Sequence, residues 1–125
     1  MKGSCLCGAV GFEVDEQVAR AIDRTSVCHC GQCRKQSGHV WASAVVPQSA
    51  VRIAGEPVWY EASPVAKRGF CPTCGSFLFW KANDEDTMSV SLGSIDGPTG
   101  LRLAHHIFVA DKGDYYEIAD GLPQS

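Results

Sequence analysis

The placement of the cysteines constrains this chain more than any other feature. Seven cysteines occur in 125 residues. They fall into three tight groups: Cys5 with Cys7, Cys28 with Cys30 and Cys33, and Cys71 with Cys74. An odd number leaves one thiol over in any full disulfide pairing. Every cysteine also has a near neighbour, which is how metal ligands are spaced and not how disulfide partners usually are. The stretch Met1-Lys2-Gly3-Ser4-Cys5 carries no apolar run of the secretory type. The expected compartment is therefore the cytoplasm, where thiols stay reduced.

Cys71-Pro72-Thr73-Cys74-Gly75 has the form of a zinc knuckle. Two intervening residues let both sulfurs chelate one ion. Pro72 pre-sets the turn, and Gly75 supplies a position where φ can be positive. Cys5-Leu6-Cys7-Gly8 offers a second pair. On an extended segment Cys5 and Cys7 point to one face and Leu6 to the other. Two such pairs make a closed four-thiolate set, which suits one structural zinc ion. The halves are roughly sixty residues apart, so binding would be coupled to folding. The plainer reading makes Cys5 and Cys7 ordinary small buried residues near a chain end.

Cys28-His29-Cys30-Gly31-Gln32-Cys33 packs three cysteines into six residues, followed by Arg34 and Lys35. Three thiolates can hold zinc and leave a fourth position open, as catalytic sites do. Such an ion can bind an incoming thiol or polarise a carbonyl oxygen. Its expected hold on the metal is weaker than that of the four-thiolate set. His29, Arg34 and Lys35 are candidate ligand contacts, and cations beside a thiol also lower its pKa. Two alternatives stand beside this one. His29 closes the site as a fourth ligand, although alternation on an extended segment turns it away. Or the three cysteines hold no metal and act as redox thiols.

The remaining residues suggest one β-rich domain over 1–125. Hydrophobic residues make up 45% of the chain, enough for a core. Charged residues of both signs make up 20%, and the net charge is −3. That balance gives no basic stripe for nucleic acid and no polybasic segment for a membrane. No run approaches the roughly 18 apolar residues of a transmembrane helix. Strands are expected over 9–14, 19–27, 39–46, 76–81, 88–92 and 105–110. Segments 51–53 and 57–61 flank Gly55-Glu56 and suggest a hairpin. Short helices are expected at 32–38 and 111–118. The fold class read from this pattern is all-β, with short strands and a metal cluster at one edge. His105 and His106 should face opposite sides of their strand, so one of them could reach a ligand. Trp41 follows the second cluster closely enough to wall a pocket. Asp84-Glu85-Asp86 reads as a solvated turn.

Taken together, these motifs resemble a known family. Gly3-Ser4-Cys5-Leu6-Cys7-Gly8, the run Cys28 to Gly38, and Arg68-Gly69-Phe70-Cys71-Pro72-Thr73-Cys74-Gly75-Ser76 follow the order of the GFA / CENP-V family. Gly93 to Asp96, His106 to Phe108 and Asp120 to Pro123 are similar as well. The resemblance implies an Mss4-like β fold of short antiparallel strands. It implies a structural zinc on Cys5, Cys7, Cys71 and Cys74, and a second, catalytic zinc on Cys28, Cys30 and Cys33. The implied activity is that of a carbon–sulfur lyase, written in reverse: formaldehyde condenses with the glutathione thiol to give S-(hydroxymethyl)glutathione. The implied partners are a small thiol such as glutathione and a small aldehyde. Two other classes compete. One is a non-catalytic binding module of the Mss4-like fold. The other is a redox enzyme of the methionine sulfoxide reductase kind, which needs a late catalytic cysteine, and no cysteine follows Cys74.

Overall fold

The computed structural model describes residues 1–125. Ten strands form two sheets, with two short α-helices in the connections. The small sheet has the order β1 (Lys2–Ser4), β2 (Gly11–Val14), β5 (Val51–Ala54). The large sheet has seven strands in the order β10 (His105–Ile107), β3 (Thr25–Cys28), β4 (Trp41–Pro47), β9 (Thr87–Ser91), β8 (Phe77–Ala82), β7 (Ala66–Phe70), β6 (Val58–Ser63). All pairs are antiparallel except β10 with β3. The β-rich architecture is the expected one. No helix is long and apolar enough to cross a membrane.

Period-two patterning decides what each face of the large sheet carries. Ala44, Val46, Met88 and Val90 turn toward the small sheet and join Val10, Phe12 and Val14 in the main core. Their alternates Ser43, Val45 and Ser89 line a cleft on the opposite face. In β8 the alternation breaks. Gly69 faces Phe79 and Phe70 faces Phe77, which leaves Leu78 as an extra residue. Such a bulge reverses the parity beyond it. Leu78 and Phe79 both enter the main core, while Phe77 joins Trp41, Cys28 and Cys33 in a second cluster. Phe79 meets Phe12 edge-on at 5.4 Å, which couples the two sheets.

α2 (Gly31–Ser37) forms where a helix was expected. Cys30 caps its start and Gly38 closes its end, with Gly38 N–H donating to Arg34 O at 2.9 Å. Three expectations need correction. Residues 19–27 are not one strand: α1 (Glu16–Arg20) covers the beginning, and pairing with β4 and β10 fixes only Thr25–Cys28. Segments 51–53 and 57–61 form no hairpin, because β5 pairs with β2 whereas β6 pairs with β7. Residues 111–118 are not helical. A 3-10 turn ends at Asp111, and Lys112 Nζ then bonds the carbonyls of Gly113 and Tyr116, which folds the chain irregularly. The first cysteine cluster joins the ends of β1 and β7, one from each sheet, with Cys5 and Cys71 both in the main core. The last strand is also shorter than expected, because Phe108 adopts a left-handed conformation at φ 55°.

Gly55 shows how closely the loop of the first cysteine pair is packed. Its φ is +80°, and a Cβ there would stand 2.2 Å from the carbonyl oxygen of Ala9. Gly55→Ala is therefore expected to cost about 1–3 kcal/mol from backbone strain and displacement of the Ala9 peptide. Urea unfolding of the variant beside the wild type measures it, and an unchanged midpoint would contradict the close approach.

Candidate metal centres and cleft

The first centre is assembled from two turns. Cys5 and Cys7 follow β1, and Cys71 and Cys74 follow β7. The four sulfurs all lie within 4.8 Å of one another. Cys7 Sγ is 3.7 Å from both Cys5 Sγ and Cys71 Sγ. A tetrahedral ion with metal–sulfur bonds of about 2.3 Å requires sulfurs roughly 3.8 Å apart, so the donor set fits zinc without rearrangement. The surroundings favour the thiolate at Cys5 and Cys74, whereas the neighbouring sulfurs push Cys7 up. Val10 N–H donates to Cys5 Sγ at 3.3 Å. The Ser76 hydroxyl lies 3.2 Å from Cys74 Sγ, and that contact, together with the Ser76 N–H, brings the Cys74 thiol down to about 5. Gly75 has φ +79°, as the knuckle turn demands.

The second centre lies on the other face of the large sheet. Cys28 ends β3, Cys30 is the N-cap of α2, and Cys33 sits in its first turn. Their sulfurs also lie within 4.8 Å of one another. Cys33 N–H donates to Cys30 Sγ at 3.4 Å, which ties the loop to the helix. All three cysteines line a cleft of about 900 Å³, with Trp41, Arg68, Trp80, Ser89, His105 and Phe108 among its other walls. Three sulfurs converging on a cleft fit an ion with one position left open.

Arg68 is the electrostatic partner of this centre. It is 5% exposed and forms no ion pair with a carboxylate. Its Nη1 donates to Cys33 Sγ at 3.5 Å and to Gln36 Oε1 at 3.3 Å, and its Nε donates to Gln32 Oε1 at 3.2 Å. A buried cation needs a counter-charge, and ionised sulfur is the group at hand. The Cys28 thiol and then Arg68 bring Cys33 down to about 6, against the opposing effect of burial. Hydrogen bonding to Cys33 in turn pushes Cys28 up.

The three residues expected as ligand contacts are placed elsewhere. His29 is 2% exposed, and its ring nitrogens meet His106 and Tyr116. Lys35 is exposed on α2, and Arg34 is half-buried with its Nε unpartnered. None of the three is among the residues that line the cleft. Alternation along the strand turns His29 to the back, and helical rotation carries Arg34 and Lys35 away. His105 and His106 do face opposite sides: His105 lines the cleft and His106 is buried behind it. Trp41 walls the cleft, and its Nε1–H finds no partner in the protein. Arg68 was the residue that spacing alone did not single out. The signal was a cation inside Ala66-Lys67-Arg68-Gly69-Phe70, a strand followed directly by the knuckle.

Arg68→Gln isolates this electrostatic effect. In protein freed of metal at the three-cysteine cluster, the wild-type Cys33 thiolate half-forms near pH 6, so alkylation there falls off only below that value. In Arg68→Gln the midpoint should rise by about 1–3 pH units. Alkylation rates read by mass spectrometry of the Cys33 peptide measure the shift, and an unmoved midpoint would show that Arg68 does not act on the thiolate.

Comparison with known proteins bears on the same residues. A profile of the family described as "Glutathione-dependent formaldehyde-activating enzyme" matches residues 1–111. Among curated proteins, an "uncharacterized lyase" of Schizosaccharomyces pombe is 25% identical over 130 residues, covering 95% of this chain and 85% of that protein. Among solved structures, the crystal structure of a Rhodobacter sphaeroides protein superposes with a TM-score of 0.63 at 26% identity, covering 78% of this chain and 90% of that one. The profile spans both cysteine centres and every strand of the two sheets, and the chain belongs to the glutathione-dependent formaldehyde-activating enzyme family.

Proposed function

We propose that this protein is a zinc-dependent enzyme of the carbon–sulfur lyase type, acting on the adduct of a small thiol such as glutathione with a small aldehyde. The observation that carries the reading is the convergence of Cys28, Cys30 and Cys33 on a cleft, with Arg68 behind them. Cys5, Cys7, Cys71 and Cys74 hold a structural zinc in this reading, and Cys28, Cys30 and Cys33 hold the second. Zinc bound there supplies Lewis acidity at an open position, where a thiol is favoured as thiolate. In the synthetic direction a C–S bond forms between the thiol sulfur and the carbonyl carbon, and the thiol proton ends on the former carbonyl oxygen. In the lyase direction the same bond breaks and the proton returns to sulfur.

The chain's own residues bind and orient. The cleft volume of about 900 Å³ falls within the 300–1,000 Å³ of small-molecule sites. Its walls mix Trp41 and Trp80 with Ser43 and Ser89, and Asp23 and Arg24 are among its charged groups. That mixture suits a zwitterionic ligand with an apolar stem. Trp41 offers the ligand part of its ring surface and not its Nε1–H, which is buried. Arg68 keeps Cys33 ionised and so keeps the centre able to hold a cation. The reading places the protein in the cytoplasm, where thiols stay reduced and both centres can form.

Cys30→Ser tests the reading. Native mass spectrometry should count two zinc ions on the wild type and one on the variant, with circular dichroism unchanged. Calorimetric titration with glutathione should show affinity falling at least about tenfold. Cys71→Ser should unfold the chain, because it opens the closed set. One ion on the wild type, or equal glutathione binding by Cys30→Ser, would overturn the enzymatic reading in favour of a zinc-stapled binding module.

A further inference from the structure

A chain of hydrogen bonds lies behind the three-cysteine centre, and the chemistry above does not use it. His29 stands between Cys28 and Cys30 in sequence, with its ring on the side away from the cleft. His29 Nε2 lies 2.8 Å from His106 Nδ1, and His29 Nδ1 meets the Tyr116 hydroxyl. His106 Nε2 lies 2.8 Å from Asp120 Oδ2 and 3.0 Å from Oδ1. The Tyr116 ring also stacks on His29, with centroids 5.6 Å apart and planes at 19°.

The donors in this chain can be assigned from one end. An ionised carboxylate only accepts. The hydrogen bond from His106 holds the Asp120 carboxyl below its usual range. With both rings neutral, His106 carries its proton on Nε2 and presents Nδ1 as an acceptor. His29 must then donate from Nε2, and its Nδ1 accepts from the Tyr116 hydroxyl. All bonds run one way, toward Asp120, and no ring nitrogen is left over.

Both ends of the chain come from the C-terminal segment, beyond the residues matched by the family profile. That segment is fastened to β10 by its backbone. His106 N–H donates to Pro123 O at 2.8 Å, Ser125 N–H to His106 O at 2.9 Å and Val109 N–H to Ser125 O at 3.0 Å. His29 N–H donates to Ile107 O at 3.0 Å. The loop carrying Cys28 and Cys30 is thus held by β10 along its backbone and by Tyr116 and Asp120 through His29.

We propose that Tyr116 and Asp120 are positioning residues for the three-cysteine centre: they lock the His29 ring from behind and so fix the Cys28 and Cys30 sulfurs that flank it. The physical need is specific to this centre. Four sulfurs on two turns constrain one another around an ion, whereas three sulfurs with one open position do not close the shell. Their geometry has to be imposed from outside, which is what outer hydrogen bonds do at metal sites. The proposal rests on the reading that Cys28, Cys30 and Cys33 hold a metal.

Tyr116→Phe, Asp120→Ala and Asp120→Glu test it, each loaded with zinc and followed by native mass spectrometry under a chelator. The second ion should leave Tyr116→Phe and Asp120→Ala about tenfold faster than the wild type. The first ion should stay, and Asp120→Glu should recover most of the retention. Loss of the second ion at the wild-type rate would overturn the proposal. So would loss of both ions together with a fallen unfolding midpoint, which marks a merely structural contact. If the wild type itself carries one ion, the enzymatic reading fails separately. Hydrogen exchange of the His29 amide then decides: about tenfold faster exchange in Asp120→Ala upholds the lock, and equal exchange ends it.

Discussion

The meeting of Cys5 and Cys7 with Cys71 and Cys74 is the contact on which the rest of the molecule depends. It joins residues 64 apart along the chain, at sulfur separations of 3.7 Å. Closing a loop of that length costs conformational entropy, though the cost grows only slowly with length. Binding of an ion to the assembled set adds directly to folding stability, because the unfolded chain offers no such set. The location matters as much as the energy. One pair leaves the small sheet and the other leaves the large sheet, so the centre stands where the two layers must stay in register. Phe12 against Phe79 completes the same junction from the apolar side.

The large sheet then separates two kinds of interior. One face is a conventional core in which Leu78, Phe79 and Val90 are fully buried. The other face carries ionised sulfur and a guanidinium. Burying Arg68 alone would be costly, and so would burying the thiolates alone. Each lowers the cost of the other, which is why Arg68 has glutamine oxygens and a sulfur around it and no carboxylate. A bound dication changes this balance further, since thiolates around it are no longer a bare negative charge. The four-sulfur centre needs no such cation nearby, because hydrogen bonds from Val10, Ser76 and the turns surround it.

The sequence was most readable where chemistry fixes spacing. A knuckle with two intervening residues admits few geometries, so both groups of sulfurs converge where Cys5, Cys7, Cys71 and Cys74, and Cys28, Cys30 and Cys33, led one to look. Alternation on a strand likewise gave His105 and His106 their opposite faces. What was not readable depended on partners distant in sequence. Ala19, Ala21 and Ile22 suit a strand or a short helix, and only the reach of β4 and β10 decides where β3 begins. Gly55-Glu56 looks like a hairpin turn locally, yet β5 and β6 are claimed by different sheets. The 111–118 segment is held by the ammonium of Lys112 on two carbonyls, an interaction with no periodic signature. Arg68 was hidden for a related reason: its role follows from Gln32, Cys33 and Gln36 of α2, which lie more than thirty residues before it in the sequence.

The register of β10 explains how one short motif serves both sides of the large sheet. β10 runs parallel to β3, with His106 opposite Val27 and Ile107 opposite Cys28. In Cys28-His29-Cys30 the first and third side chains line the cleft, while the middle one goes to the back. In His105-His106-Ile107 the outer two line the cleft, and His106 goes to the back to meet His29. A slip of one residue in that pairing would send His105 and Ile107 behind the sheet and bring His106 into the cleft. His29 would then lose its acceptor in a site with almost no access to water, where an unpaired polar group costs about 1–3 kcal/mol. The buried histidine pair therefore does for the register of β10 what the apolar core does for the other strands. It makes one alignment better than its neighbours, and that alignment is the one in which His105 and Ile107 face the cleft beside Cys28 and Cys30.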